Sequence, residues 1–124
     1  MNNMLIEGLY EVKSLEKTEK GISAKVHLNK DHDIFKGHFP GNPVMPGVCM
    51  IQMIKELTEK EAGEELFLTR STNIKFMAII NPETNPDLEL TIDITKDNGE
   101  LKVKNTTTFE ETVALRLNAT FSVV

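Results

Sequence analysis

The strongest constraint on this chain is a period-two rhythm of apolar residues that recurs along most of its length and is broken by one helical segment. From Val113 through Leu115, Leu117, Ala119, Phe121 and Val123 every second residue is apolar, while Arg116, Asn118, Thr120 and Ser122 take the alternate positions. Successive side chains on a strand point to opposite faces, so this run predicts a long strand with one face on a core. Leu88, Leu90, Ile92 and Ile94 alternate with Glu89, Thr91, Asp93 and Thr95, and Leu101 and Val103 alternate with Lys102 and Lys104. Asp97-Asn98-Gly99 lies between those two runs, and because Asn and Gly tolerate positive φ, residues 87–109 predict a hairpin. Ile22, Ala24, Val26 and Leu28 give a further strand after the polar turn Glu19-Lys20-Gly21. Residues 73–80 are apolar on both faces toward their end, the pattern of a central, covered strand, and stop at the proline-bearing segment 81–86.

The helical segment follows Pro46-Gly47, where a proline costs nothing because a first-turn N–H has no intrahelical partner. Val48, Cys49, Met50, Ile51, Met53 and Ile54 make its first half apolar almost all round, and Lys55, Glu56, Thr58, Glu59, Lys60 and Glu61 then make it amphipathic about Leu57. A helix apolar on every side at one end is expected to be surrounded there. The prediction is an α+β chain: one central buried helix wrapped by an antiparallel sheet of five to six strands, with residues 1–124 as a single domain. No repeat, linker or low-complexity tract is present.

Composition narrows the function. A net charge of −5 argues against a general nucleic-acid binder, since neutralising phosphates needs a basic field. No apolar run approaches the roughly 20 residues of a membrane helix, and the first residues carry no basic-then-apolar export pattern, so a cytoplasmic protein without membrane contact is expected. The single cysteine, Cys49, forms no internal disulfide and offers no CxxC pair.

The residues His38-Phe39-Pro40-Gly41-Asn42-Pro43-Val44-Met45-Pro46-Gly47-Val48 resemble the signature of the hot-dog-fold 3-hydroxyacyl-acyl-carrier-protein dehydratases (FabZ/FabA-like) of bacterial fatty acid synthesis. The motif also stands just ahead of the single helix, with strands before and after, so the resemblance covers the chain in outline. It implies a hot-dog domain that dimerises and builds each active site from a histidine of one subunit and a carboxylate of the other. On this sequence the catalytic histidine falls on His38. The glycine whose backbone N–H polarises the thioester carbonyl falls on Gly47, and the carbonyl that orients the imidazole on Val44. Phe39, Val44 and Val48 are expected beside the substrate, although Phe39 serves equally well as a core residue. The family's Glu or Asp falls on Gln52, where this chain departs from the pattern.

That departure bears directly on the chemistry. Dehydrating a 3-hydroxyacyl thioester removes a proton from C2 and protonates the C3 hydroxyl as it leaves; histidine suits the first task and a carboxylic acid the second. Glutamine donates and accepts hydrogen bonds but exchanges no proton at accessible pH. General acid catalysis contributes roughly 10²–10⁴-fold, so losing it leaves a slow enzyme or none. Gln52 can still place a hydroxyl or water. Glu56, one turn further along the same face, has the right chemistry, but a displacement of about 6 Å is large for a catalytic group.

Other residues carry plainer readings. Cys49 is expected to be a buried packing residue rather than a nucleophile, and His27 a solvated strand residue. Asp31-His32-Asp33 is turn chemistry with too few ligands for zinc, and no metal or organic cofactor is expected. Met45, Met50, Met53 and Met77 fit an adaptable acyl tunnel and ordinary core packing equally. Lys36, Lys55, Lys60, Arg70 and Lys75 are candidates for meeting an acidic carrier protein, although scattered lysines more often serve solubility.

Three functions fit these residues. One is a dehydratase acting on acyl thioesters of acyl carrier protein or coenzyme A, as a homodimer, in fatty acid or polyketide/polyene synthesis. The second is a half-site subunit of a heterodimer whose paralogous partner brings the missing carboxylate. The third is a hot-dog thioesterase with Gln52 positioning water.

Overall fold

The computed structural model describes residues 7–35 and 44–124, apart from the side chain of Thr72. His38 and Phe39 lie outside the described residues. Strands β1 (Tyr10–Lys17) and β2 (Gly21–Leu28) precede helix α1 (Gly47–Ala62). Strands β3 (Leu66–Phe76), β4 (Asp87–Asp97), β5 (Glu100–Phe109) and β6 (Thr112–Val123) follow it. All six strands join one antiparallel sheet in the order β1-β2-β4-β5-β6-β3. The predicted hairpin forms: Asp97 pairs with Glu100 across Asn98 and Gly99, whose φ values are 50° and 80°.

The alternating runs bury one face of the sheet. Ile22, Ala24, Val26 and Leu28 on β2, Leu88, Leu90 and Ile92 on β4, and Leu115, Leu117, Ala119 and Phe121 on β6 are all within a few per cent of complete burial. Onto this face α1 sets Met50, Met53, Ile54 and Leu57, none of them accessible to solvent. Each such side chain contributes roughly 1.5–3 kcal/mol by leaving water. Pro46 stands in an extended conformation immediately before the helix, and Gly63 closes it with φ of 71° and an N–H donated to the Glu59 carbonyl at 2.8 Å. A left-handed residue at that point is a common way to end a helix and satisfy a terminal carbonyl. Among the described residues no helix is long and apolar enough to cross a membrane.

Two expectations are corrected. The segment expected to form a central, covered strand lies at the sheet's edge: β3 pairs with β6 alone among the described strands, and Ile74, Phe76, Met77 and Ile79 are exposed. Its backbone leaves the strand after Phe76, and the N–H groups of Met77 and Ala78 both donate to the Ala114 carbonyl. The first half of α1 is likewise not surrounded, since Val48 is 71% exposed. Apolar periodicity reports that a surface is to be covered; it does not say whether the cover belongs to the same chain. Strand β1 gave no clear rhythm because its register shifts between Val12 and Ser14, which breaks the alternation.

Candidate active site

The start of α1 combines two features of chemical interest. Pro46 has no N–H and no side chain able to cap, and its carbonyl accepts from Cys49 and Met50. No acceptor among the described residues meets the N–H groups of Gly47 and Val48. Unsatisfied first-turn donors, reinforced by the helix dipole, favour an incoming carbonyl oxygen or anion. A Cβ placed on Gly47 would make only ordinary contact with the Phe76 ring, at 3.4 Å. Packing against the described residues therefore does not by itself demand glycine there.

From that end a single stripe runs along the helix. Val48, Gln52 and Glu56 succeed one another at i,i+4, passing from an exposed residue to two half-buried ones. The Gln52 amide Nε2 donates to Glu56 Oε2 at 3.2 Å, and Tyr10 at the start of β1 donates its hydroxyl to Glu56 Oε1 at 2.5 Å. Both oxygens of Glu56 thus accept hydrogen bonds, so Glu56 is tied to Gln52 rather than replacing it one turn away. Burial, and then the Glu56 carboxylate, hold the Tyr10 phenol well above its usual pKa. Nothing in the local sequence marks Tyr10, which stands 46 residues from its partner; only the packing of β1 beside α1 joins them.

A second polar cluster closes the far half of the helix. Glu59 Oε2 accepts from the buried Lys55 ammonium at 3.1 Å and from the Leu66 N–H at 2.8 Å, tying the start of β3 to α1. Lys55 is therefore a structural cation and not a surface for a carrier. Cys49 is buried, and burial raises its thiol pKa, which suits packing better than nucleophilic chemistry.

The remaining polar expectations also find places. His27 is exposed and bonds the Asp87 carboxylate at 2.7 Å. His32 spends both ring nitrogens locally, one at 2.9 Å from the Glu7 carbonyl and the other accepting from the Ile34 N–H. Val44 is half-buried, ahead of the hydrogen bond from the Met45 N–H to the Ile80 carbonyl.

Comparison with known proteins agrees with this architecture. The family model for ApeI-like proteins, described as ApeI dehydratase, matches residues 14–115. The 3-hydroxyacyl-(acyl-carrier-protein) dehydratase FabZ of Lactobacillus helveticus is 30% identical over 96% of this chain and 88% of its own length. FabZ of Rickettsia felis is 34% identical over 90% of this chain and 79% of its own. The dehydratase heterocomplex ApeI:P from Xenorhabdus doucetiae superposes with a TM-score of 0.75 at 19% identity, covering 90% of this chain and 96% of that one, which establishes the hot-dog fold. With a family match across most of its length, this chain belongs to the ApeI-like dehydratases.

Proposed function

We propose that the protein dehydrates 3-hydroxyacyl thioesters carried on acyl carrier protein or coenzyme A, with His38 and Gln52 as the side chains at the reacting carbons. The substrate class is taken from the FabZ relatives, which bear the name 3-hydroxyacyl-(acyl-carrier-protein) dehydratase. The observation that supports the reading is the start of α1 at Gly47, whose N–H meets no acceptor among the described residues, on the same helix as the half-buried Gln52. In this mechanism the Gly47 N–H holds the thioester carbonyl oxygen and acidifies C2. His38 takes the C2 proton, the C2–C3 double bond forms and the C3–O bond breaks. Because the Gln52 amide supplies no proton, the imidazolium of His38 returns the one it took to the departing hydroxyl, which leaves as water. Gln52 places that hydroxyl, and Phe39, Val44 and Val48 flank the acyl chain.

The active form is a dimer. Edge strand β3 has one side unpaired among the described strands, and Val48, Phe67, Ile74, Phe76 and Ile79 are each exposed apolar residues that a second subunit would cover. The partner is a second copy of this chain, with one specific alternative: the structural neighbour ApeI:P is a heterocomplex, so Gln52 can belong to a subunit whose paralogous partner carries the acid.

The test is turnover of a 3-hydroxyacyl carrier-protein thioester by the purified protein beside His38→Ala and Gln52→Glu. Turnover by the wild type that is abolished in His38→Ala supports the homodimeric enzyme. An inert wild type with activity gained in Gln52→Glu assigns the chain to the half-site role, and inertness of both refutes dehydration at this site.

A further inference from the structure

Asn98 and Gly99 close the β4–β5 hairpin, and they also set two reactive groups side by side. Both residues are exposed at its tip, with φ of 50° and 80°. The Asn98 side-chain amide and the Gly99 N–H meet no partner among the described residues. An asparagine side-chain carbonyl is open to attack by the backbone nitrogen of the next residue when that nitrogen is unbonded and unshielded, and glycine, having no Cβ, shields it least. Of the chain's asparagines Asn98 alone precedes glycine. Asn42, Asn81 and Asn85 precede proline, which has no N–H to give up. The Asn29 side chain is held at both ends, donating to the Gly8 carbonyl at 3.0 Å and accepting from the Asp31 N–H at 3.0 Å. Asn105 is buried and donates to the Thr91 carbonyl, while Asn73 and Asn118 stand in the paired strands β3 and β6.

We propose that Asn98 is a site of spontaneous deamidation, a slow covalent modification that loosens the β4–β5 hairpin from its tip. The Gly99 nitrogen gives its proton to hydroxide and attacks Asn98 Cγ. The new N–Cγ bond closes a succinimide ring, and the side-chain nitrogen leaves as ammonia with a proton from water. Water then opens the ring at one of its two carbonyls. Breaking the new N–Cγ bond gives aspartate on the original backbone. Breaking the bond from the Gly99 nitrogen to the Asn98 backbone carbonyl carbon gives isoaspartate, whose main chain runs through Cβ and is one methylene longer. Nothing is oxidised or reduced, and water is the only co-reactant. Ring closure rotates the peptide between the two residues, so it proceeds from the locally opened tip, and exposed tips open at close to zero free energy. Both products set a new carboxylate beside Asp97, whose own carboxylate bridges Lys102 at 3.6 Å. Isoaspartate also lengthens the two-residue turn that pairs Asp97 with Glu100. A slip of one position there would turn Leu101 and Val103 off the core face. The inference is independent of the dehydratase reading.

The test incubates the full chain at pH 6 and pH 9, folded and in urea, and follows it by intact mass, peptide mapping and an isoaspartyl methyltransferase assay. The first product should show NH replaced by O in the peptide that holds Asn98, form faster at pH 9 and contain isoaspartate. The rate in the folded protein should lie within about tenfold of the rate in urea, because an exposed tip opens so readily. The added charge lets anion exchange separate the products. The isoaspartate form should unfold at a lower urea concentration than Asn98→Asp, which carries the same charge on an unaltered backbone. An Asn98 that stays intact in the folded protein while the urea sample converts, or a first product at another asparagine, overturns the site. An isoaspartate form as stable as Asn98→Asp overturns the loosening of the hairpin.

Discussion

Removing Glu59 should be among the most damaging single changes to stability outside the hydrophobic core. Its partner Lys55 has a side chain only 4% exposed, and Glu59 itself is 18% exposed, so the pair lies well out of water. Glu59→Ala leaves a buried ammonium with no counter-charge and also takes the acceptor from the Leu66 N–H. Breaking a buried pair from one side costs about 3–5 kcal/mol, because the surviving charge keeps its desolvation penalty. For a chain of this size the unfolding entropy is roughly 0.26 kcal/mol per degree, so the melting temperature should drop by about 10–20 °C. Replacing both residues, Lys55→Met with Glu59→Met, removes the orphaned charge and should recover more than half of the loss, leaving a deficit of about 1–2 kcal/mol from the unpaired Leu66 N–H. Urea unfolding followed by circular dichroism measures all three proteins, at one fixed protein concentration because dimerisation would add to apparent stability. A Glu59→Ala cost below about 1 kcal/mol, with no recovery in the double variant, would show the pair to behave as an exposed salt bridge and refute the argument.

Further outcomes follow from the same physics. Tyr10 has its phenol pKa raised above the ordinary value of 10.0 by burial and Glu56, so its contribution is complete below pH 10 and is lost as pH climbs above it. Wild-type stability should therefore fall more steeply than that of Tyr10→Phe in alkaline denaturation, and equal slopes would argue against the buried phenol. Cys49 is 2% exposed, with burial raising its thiol pKa; a disulfide reagent at pH 8 should modify it at least about a hundredfold more slowly in the native protein than in urea. Gly63→Ala places a Cβ at φ of 71° and should destabilise by about 1–2 kcal/mol in urea unfolding, without any steric contact to relieve. Phe67→Lys with Ile74→Lys, on the exposed edge strand, should halve the molar mass seen by light scattering, and an unchanged mass would place the subunit contact elsewhere.

The sequence by itself determined the local geometry. Strict alternation on β2, β4, β5 and β6, the Asn98-Gly99 turn and the Pro46-Gly47 start of α1 are all short-range properties, and each strand or turn reads its own residues. Residues 38–48, which carry the family resemblance, likewise form one contiguous run, and the roles given to His38, Gly47 and Gln52 rest on that resemblance. Tertiary structure alone decided the order of the strands and what stands beside each. It put the strand expected over residues 73–80 at an edge rather than the centre, left Val48 facing outward, and brought Tyr10 to Glu56 and Leu66 to Glu59. Those outcomes depend on which surfaces meet. An apolar or polar residue states that it needs a partner, and only the packed chain says which partner it gets.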